Sequence, residues 1–421
     1  MSTDISDAVN VIKPRKIDTY ARASVMARFE KISHGTIRIV DSTGEMVFGR
    51  ADCADDLQVE IRVIDQRFYS DLAFGGTVAA GESYMQGCWL CSDLTMLTRI
   101  MVRNRHVLEA VDSRLSEFKA SLLRFGHWLN RNTQSGSRRN IEAHYDLGNE
   151  MFELFLDPTM MYSSAYYPKP TSTLDEAAVA KLKRICDKLQ LCSEDHVIEI
   201  GTGWGGFAIY AAANYGCKVT TTTISKEQHA MAVSRVAAAG VEDRVTLLME
   251  DYRDLSGEYD KLVSIEMIEA VGHQYLDTYF AKCSSLLKPE GIMLIQAITI
   301  ADQRYDSAIN SVDFIQRYIF PGGFIPSVSA ITESVKASSD MRLFNLEDIG
   351  PHYATTLQHW RERFFDNIEQ IKAMGYSDQF IRMWEFYLCY SEGGFLERVL
   401  GDVHLVFVKP ANRIDWRLMD S

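Results

Sequence analysis

No stretch of the sequence approaches the ~18 consecutive apolar residues that a membrane-crossing helix requires. The opening residues, MSTDISDAVNVIKPRKIDTY, lack the apolar core of a secretory leader, so none is expected. Cysteine is sparse, eight in 421 residues, which predicts a reduced cytoplasmic protein and not a disulfide framework. Cys88-Trp-Leu-Cys91 has no second pair, so packing is its expected role and no metal is predicted. Basic residues are in deficit, 44 against 57 acids for a net charge of −13, which speaks against general nucleic-acid binding. Internal repeats and low-complexity tracts are absent. What remains is ordinary globular composition, 47% hydrophobic and 24% charged, with length for two or three domains.

Three textures follow one another. Residues 35–95 read as a small α+β unit. Residues 36–40 alternate apolar and polar, 41–44 make a turn and 45–49 return, which predicts a hairpin. Residues 57–64 alternate again as a strand, with helices expected over 69–73 and 93–102. A long helix should follow, because Leu108, Val111, Leu115, Phe118, Leu122, Phe125 and Leu129 recur at spacings of three and four. Residues 99–139 carry nine basic side chains against three acidic ones, a local positive excess inside an acidic chain. Such a helix either packs on its own domain or docks on anionic lipid headgroups, where each basic residue contributes about 1 kcal/mol. The run NTQSGS reads as a linker. The expected division is 1–131 as an N-terminal α+β domain, 132–139 as linker and 140–421 as a second domain. In the second domain strand and helix texts alternate, with strands at 196–200, 218–224, 245–248, 261–265, 292–300 and 403–408. That pattern predicts an open, mostly parallel sheet.

The strand at 196–200 runs into Gly201-Thr-Gly203-Trp-Gly205-Gly206 and then into helix text. Glycines permit the tight turn and let a ligand lie against the backbone. Open parallel sheets bind ligands at the carboxyl ends of their strands. The spacing is not the dinucleotide G-x-G-x-x-G, and the second strand ends Thr221-Thr-Thr-Ile-Ser225 without the acid that a nicotinamide ribose requires. The loop resembles the one by which Rossmann-like methyltransferases hold S-adenosylmethionine, with Glu199 as the acid before it.

A narrower resemblance begins at His144-Tyr-Asp-Leu-Gly-Asn-Glu-Met-Phe-Glu-Leu-Phe-Leu-Asp157-Pro158 and continues through Met161-Tyr-Ser-Ser-Ala-Tyr166. Further matches are Thr223-Ile-Ser-Lys-Glu-Gln228, Glu250-Asp-Tyr-Arg-Asp254, Ser264-Ile-Glu-Met-Ile-Glu269-Ala-Val-Gly272, Tyr318-Ile-Phe-Pro-Gly-Gly323 and Pro351-His-Tyr353. From about residue 140 to 409 the chain resembles the cyclopropane fatty acid synthase family. The run Gly81-Glu-Ser-Tyr-Met-Gln-Gly87 is similar, more weakly, to the lipid-binding domain of its two-domain bacterial members. The resemblance implies an α/β fold, a Rossmann-like class I methyltransferase with a seven-stranded mostly parallel sheet and helical additions covering lipid. A smaller N-terminal α+β domain precedes it. The implied reaction moves the methyl of S-adenosylmethionine onto a cis double bond of a phospholipid acyl chain. A carbocation forms, the methyl loses a proton and a cyclopropane ring closes.

The resemblance also assigns roles. Gly201, Gly203 and Gly205 form the cofactor loop, with Tyr162 and Ser163 over its methionine end. Thr223 and Gln228 match positions around the ribose, Asp251 and Tyr252 the adenine edge, and Ile265 lies on the following strand. An aromatic face at Tyr162 stabilises a sulfonium or a carbocation by cation–π attraction. In this family a bound bicarbonate acts as base, and its cradle maps to Ser164, Glu269, Gln296, Ile298 and Tyr353. Gln296 stands where many bacterial members have His; it donates through its amide but carries no charge. Phe314, Ile315, Tyr318, Ile319, Phe320 and the turn at 321–326 are candidates for the acyl-chain wall. The resemblance further implies unsaturated phospholipids at an anionic membrane surface as partners and a homodimer. It also implies a cytoplasmic location at the inner face of the membrane. The second reading is a related lipid C-methyltransferase that leaves a methyl or methylene branch, or feeds a furan lipid, through a different proton-loss step. A methyltransferase for small soluble molecules has no need of the basic segment or the N-terminal domain.

Overall fold

Two alternating stretches pair where the sequence predicts a hairpin. β1 (Gly35–Asp41) runs antiparallel to β2 (Gly44–Arg50), with Asp41 opposite Gly44. The turn is held by the Asp41 carboxylate, which accepts the Thr43 N–H at 2.8 Å. The computed structural model describes residues 15–50, 57–105 and 148–413. The linker at 132–139 and the long basic helix expected over 108–129 lie outside the described residues. Described residues up to 105, together with Lys372–Glu397, form one unit; the remainder form a second.

In the first unit β3 (Gln58–Val63) lies parallel to β1, and β4 (Trp89–Cys91) closes the order β2-β1-β3-β4. The helix Arg67–Met85 is far longer than the expected 69–73. Gly76 at φ 61° and ψ −150° leaves the helical region and kinks this stretch into two helical pieces, the second ending in the buried Tyr84 and Met85. Asp93 caps the helix Leu94–Arg103 by accepting the Met96 N–H at 2.8 Å. The helix Asp378–Leu396, expected with the second domain, packs in this first unit. A Cβ on Gly393 would approach the Thr98 side chain to 2.7 Å, so the small residue permits the contact. Cys389 is part of this core, and Cys88 and Cys91 are free thiols. Arg99 and Arg103 each donate to the Glu397 carboxylate at 2.7 Å, so two of the nine clustered cations are neutralised within the unit.

The second unit carries the sheet that the alternation predicts, in the order β10-β11-β9-β8-β5-β6-β7. Its strands are β5 (His196–Ile200), β6 (Lys218–Thr222), β7 (Val245–Leu248), β8 (Tyr259–Ile265), β9 (Leu287–Ile300), β10 (Arg342–Asp348) and β11 (Leu400–Val408). β11 runs antiparallel to both β9 and β10, while β9, β8 and β5 are parallel to one another and present their carboxyl ends on one side. This is the Rossmann-like methyltransferase architecture expected from the sequence. Leu262 and Val263 on β8 and Ile292 to Ile295 on β9 are all buried because helices cover both faces of the sheet. Leu182, Phe207 and Ala211 pack on one side, and Tyr279, Phe280 and Ile331 on the other. β10 is not legible in the sequence: it is an edge strand, mostly accessible, with a bulge between Leu343 and Asn345. Among the described residues no helix is long and apolar enough to cross a membrane.

Candidate active site

At the end of β5 the chain turns through Gly201, Gly203 and Gly205 at φ 104°, 52° and 86°, angles that favour glycine. Gly205 caps the helix Gly206–Tyr215. A Cβ at Gly206 would come within 2.5 Å of the Thr159 carbonyl oxygen, which fixes the loop against the segment leading to Tyr162. Beneath the loop the Thr202 hydroxyl lies 2.7 Å from that of Thr221, which donates to the Glu199 carboxylate at 2.6 Å. Burial pushes the Glu199 carboxyl up to about 8. Thr223 donates to the Gln228 side chain at 3.0 Å, so these two predicted positions are brought together after β6. Asp251 is buried after β7 and held by Arg253, whose side chain donates at 2.7 and 2.6 Å and whose backbone N–H donates at 3.0 Å. Tyr252 follows it, and its buried hydroxyl has no partner. Ile265 ends β8 opposite Gln296.

Next to the glycine loop lies a polar cluster inside the protein. Ser163 accepts from the fully buried Lys181 at 2.6 Å. The neighbouring Ser164 N–H donates to Glu266 Oε1 at 2.8 Å. Gln296 Nε2 donates to the same oxygen at 2.8 Å and to Asp402 Oδ2 at 2.8 Å. The Tyr353 hydroxyl donates to Glu266 Oε2 at 2.7 Å. Glu269 Oε1 accepts the Ile298 N–H at 2.6 Å. His404 Nε2 lies 3.3 Å from Gln296 Oε1. The register of β9 with β11 explains the grouping, because Gln296 pairs with His404 and Ile298 with Asp402. Glu266 and Glu269 keep some accessible surface as residues, but their carboxyl groups are surrounded by protein. Three atoms here are buried without a partner: Glu269 Oε2, Asp402 Oδ1 and His404 Nδ1.

The charges cannot all be present. Burial raises the carboxyl groups of Glu266, Glu269 and Asp402, and Glu269 reaches about 8 because the charge of Glu266 adds to burial. Burial lowers Lys181 to about 8 and His404 well below its ordinary range. Glu266 receives three donors and faces Lys181, whereas Glu269 receives one. Donors and Lys181 thus favour the charged form of Glu266, while burial and the charge of Glu266 raise the proton affinity of Glu269 and Asp402.

Aromatic rings stand beside this cluster. Tyr162 lies 5.2 Å from Phe152, 5.2 Å from Trp360 and 6.2 Å from Phe320. Trp360 meets Tyr353 edge-on at 6.1 Å. The predicted wall begins with the helix Phe314–Tyr318 and is tied to the cluster through Phe324, whose N–H donates to the Glu269 carbonyl at 3.0 Å. Phe314 and Ile319 are core residues, while Ile315, Tyr318 and Phe320 retain accessible surface.

The cradle expected for bicarbonate requires free donors. Ser164 N–H, the Gln296 amide and the Tyr353 hydroxyl, three of its five groups, instead donate to Glu266. The Ile298 N–H donates to Glu269. A further anion among them would meet the carboxylate of Glu266 and find the expected donors taken. The residues present do not fit a bicarbonate. Glu266, Lys181, Asp402 and His404 escaped the sequence reading. Glu266 stands inside the quoted run 264–272, and its signal was an extra acid three residues before Glu269. The other three come from distant elements that only the sheet register and the helix Leu174–Leu189 bring together.

Residues 132–405 match the family described as mycolic acid cyclopropane synthetase. The chain is 41% identical to a tuberculostearic acid methyltransferase of Mycobacterium tuberculosis, over 76% of each chain. It is 40% identical to the cyclopropane-fatty-acyl-phospholipid synthase of Escherichia coli, over 83% of this chain and 87% of that one. Among solved structures, a crystal structure of the mycolic acid cyclopropane synthase CmaA1 with SAH and CTAB is 29% identical. It covers 65% of this chain and 98% of its own, with a TM-score of 0.58.

Proposed function

The chain belongs to the mycolic acid cyclopropane synthetase family and is an S-adenosylmethionine-dependent methyltransferase acting on lipid acyl chains, and on that premise we propose that its product is a cyclopropane fatty acyl phospholipid. One observation carries this reading: a buried carboxylate cluster lies beside an aromatic box and the glycine loop, all at the carboxyl ends of β5, β8 and β9. Gly201, Gly203, Gly205, Thr223, Gln228, Asp251 and Tyr252 hold the donor. Tyr162 and Trp360 turn ring faces toward the positive charge as it passes from sulfur to the acyl chain. Apolar walls at 314–326 keep water from quenching the cation.

The second reading, a methyl or methylene branch, rests on the 41% identity to a protein named for tuberculostearic acid. Both products pass through the same cation. Labelled S-adenosylmethionine with cis-unsaturated phospholipid vesicles is expected to label the acyl chains. NMR then separates ring from branch, which have equal mass. No label in any unsaturated lipid overturns the assignment.

The substrate lies in a membrane, and we assign the docking surface to the basic region of residues 99–139, working as a homodimer at the cytoplasmic face. Arg131, Arg138 and Arg139 changed together to Ala should weaken binding to anionic vesicles in a salt-sensitive way. Unchanged vesicle binding removes that surface from the proposal.

A further inference from the structure

We propose that Glu266 is the general base of this enzyme, an internal carboxylate that takes the place of the bicarbonate used by related synthases. The inference rests on the function proposed above and deepens it. Its first support is coincidence of position: the Glu266 carboxylate accepts from Ser164 N–H, Gln296 Nε2 and Tyr353 O–H at 2.7–2.8 Å, three groups otherwise expected around the small anion. A carboxylate and a bicarbonate share the same two-oxygen acceptor edge, so one donor set serves either.

The second support is the backbone. Glu266 follows β8 at φ 46°, an angle where a glycine is unstrained and a glutamate is not. The strained residue places its carboxyl inside the site. The third is charge. Lys181 from the helix Leu174–Leu189, Tyr353 from the helix Gly350–Asp366, Gln296 on β9, Asp402 and His404 on β11 and the nearby Glu269 surround it. Lys181 is the buried cation named among these groups, and Glu266 is the carboxylate with the most donors, so the site holds one negative charge there. Burial also raises its proton affinity toward the range that suits a general base.

The step balances without another reactant. The methyl–sulfur bond breaks with its pair left on sulfur, and the alkene pair forms the new carbon–carbon bond. Glu266 takes a proton from the transferred methyl, and the C–H pair closes the ring onto the cation. A hydride shift before the same proton loss gives a methylene branch instead. The proton on Glu266 returns to solvent after product leaves.

The test compares wild type, Glu266→Gln and Glu266→Gly in carbonate-free buffer and with added bicarbonate. Wild-type turnover should be unchanged by either condition. Glu266→Gln should lose about 100-fold or more in kcat. Glu266→Gly, whose backbone angle suits glycine, should lose as much without bicarbonate and regain about tenfold with it. Wild type that loses activity without bicarbonate, or Glu266→Gln within a few-fold of wild type, overturns the proposal. A second arm needs no lipid: with S-adenosylhomocysteine present, carbon-13 bicarbonate should give a bound NMR signal with Glu266→Gly and none with wild type. A wild-type signal, or no uptake by the glycine variant, overturns it. If no lipid is ever labelled, the proposed function fails while this arm still decides who occupies the cradle.

Discussion

The two units treat buried charge in opposite ways. In the N-terminal unit several inward acids meet an arginine. Asp18 binds Arg15 through two bonds, Asp41 binds Arg22 and the Tyr69 hydroxyl, and Glu397 receives both Arg99 and Arg103. Asp41 falls to about 2, because those hydrogen bonds outweigh the cost of burial. At the centre of the sheet unit, Glu199, Glu266 and Asp402 share the field of the buried Lys181 with Glu269 nearby, and two of the acids, Glu269 and Asp402, leave an oxygen unpaired. Matched pairs offset their own desolvation and hold a fold together. Unmatched acids cost stability, and a protein keeps them where a proton must move.

That contrast can be broken most sharply at Glu266. Glu266→Gln should lower kcat about 100-fold or more while calorimetric binding of S-adenosylmethionine persists. Turnover near wild type would make the sheet cluster as structural as the N-terminal pairs. Lys181→Met comes next: without their cation the acids should cost about 3 kcal/mol in urea unfolding, partly recovered by adding Asp402→Asn. A neutral result would mean that the acids carry no charge at all.

A pH series sharpens the comparison further. Glu269 and Glu199 have folded values near 8 against an ordinary 4.5, so the folded state binds more protons between them. Their contribution is full below about 4.5 and is lost as pH rises toward 8. Asp41 has the opposite sign: its contribution is present above 3.8 and is lost as pH falls through about 2. Thermal unfolding should therefore show falling stability from pH 5 to 8 in wild type and a flatter profile in Glu269→Gln. The smallest effect is expected at Glu397→Gln, about 1.5 kcal/mol of stability with kcat within twofold. A large loss of turnover there would show that the paired charges are not structural alone.

Much of this was legible in the chain. The hairpin at β1 and β2, the glycine turn after β5 and the order of strands and helices follow from periodicity and turn chemistry, which act between near neighbours. Positions around the glycine loop, with Ser164, Gln296 and Tyr353, were legible by resemblance. Gln296 was expected to donate into an anion site. Its amide is instead spent on Glu266 and Asp402, because β11 lies antiparallel to β9 and brings Asp402 beside it. The helix Asp378–Leu396 likewise looked like part of the sheet domain, but its fit against Thr95 and Thr98 sets it in the other unit.

The sequence by itself determined the fold, the glycine turn after β5 and the family, since each rests on local pattern or on motifs in order. Tertiary structure alone decided which acid gathers the donors. Proton affinity depends on burial and on the number of donors, and those donors come from the segment at Ser164, from β9 and from the helix Gly350–Asp366, which are remote in the chain. Glu266 and Glu269 are three residues apart and chemically identical; only their surroundings give one three donors and the other one.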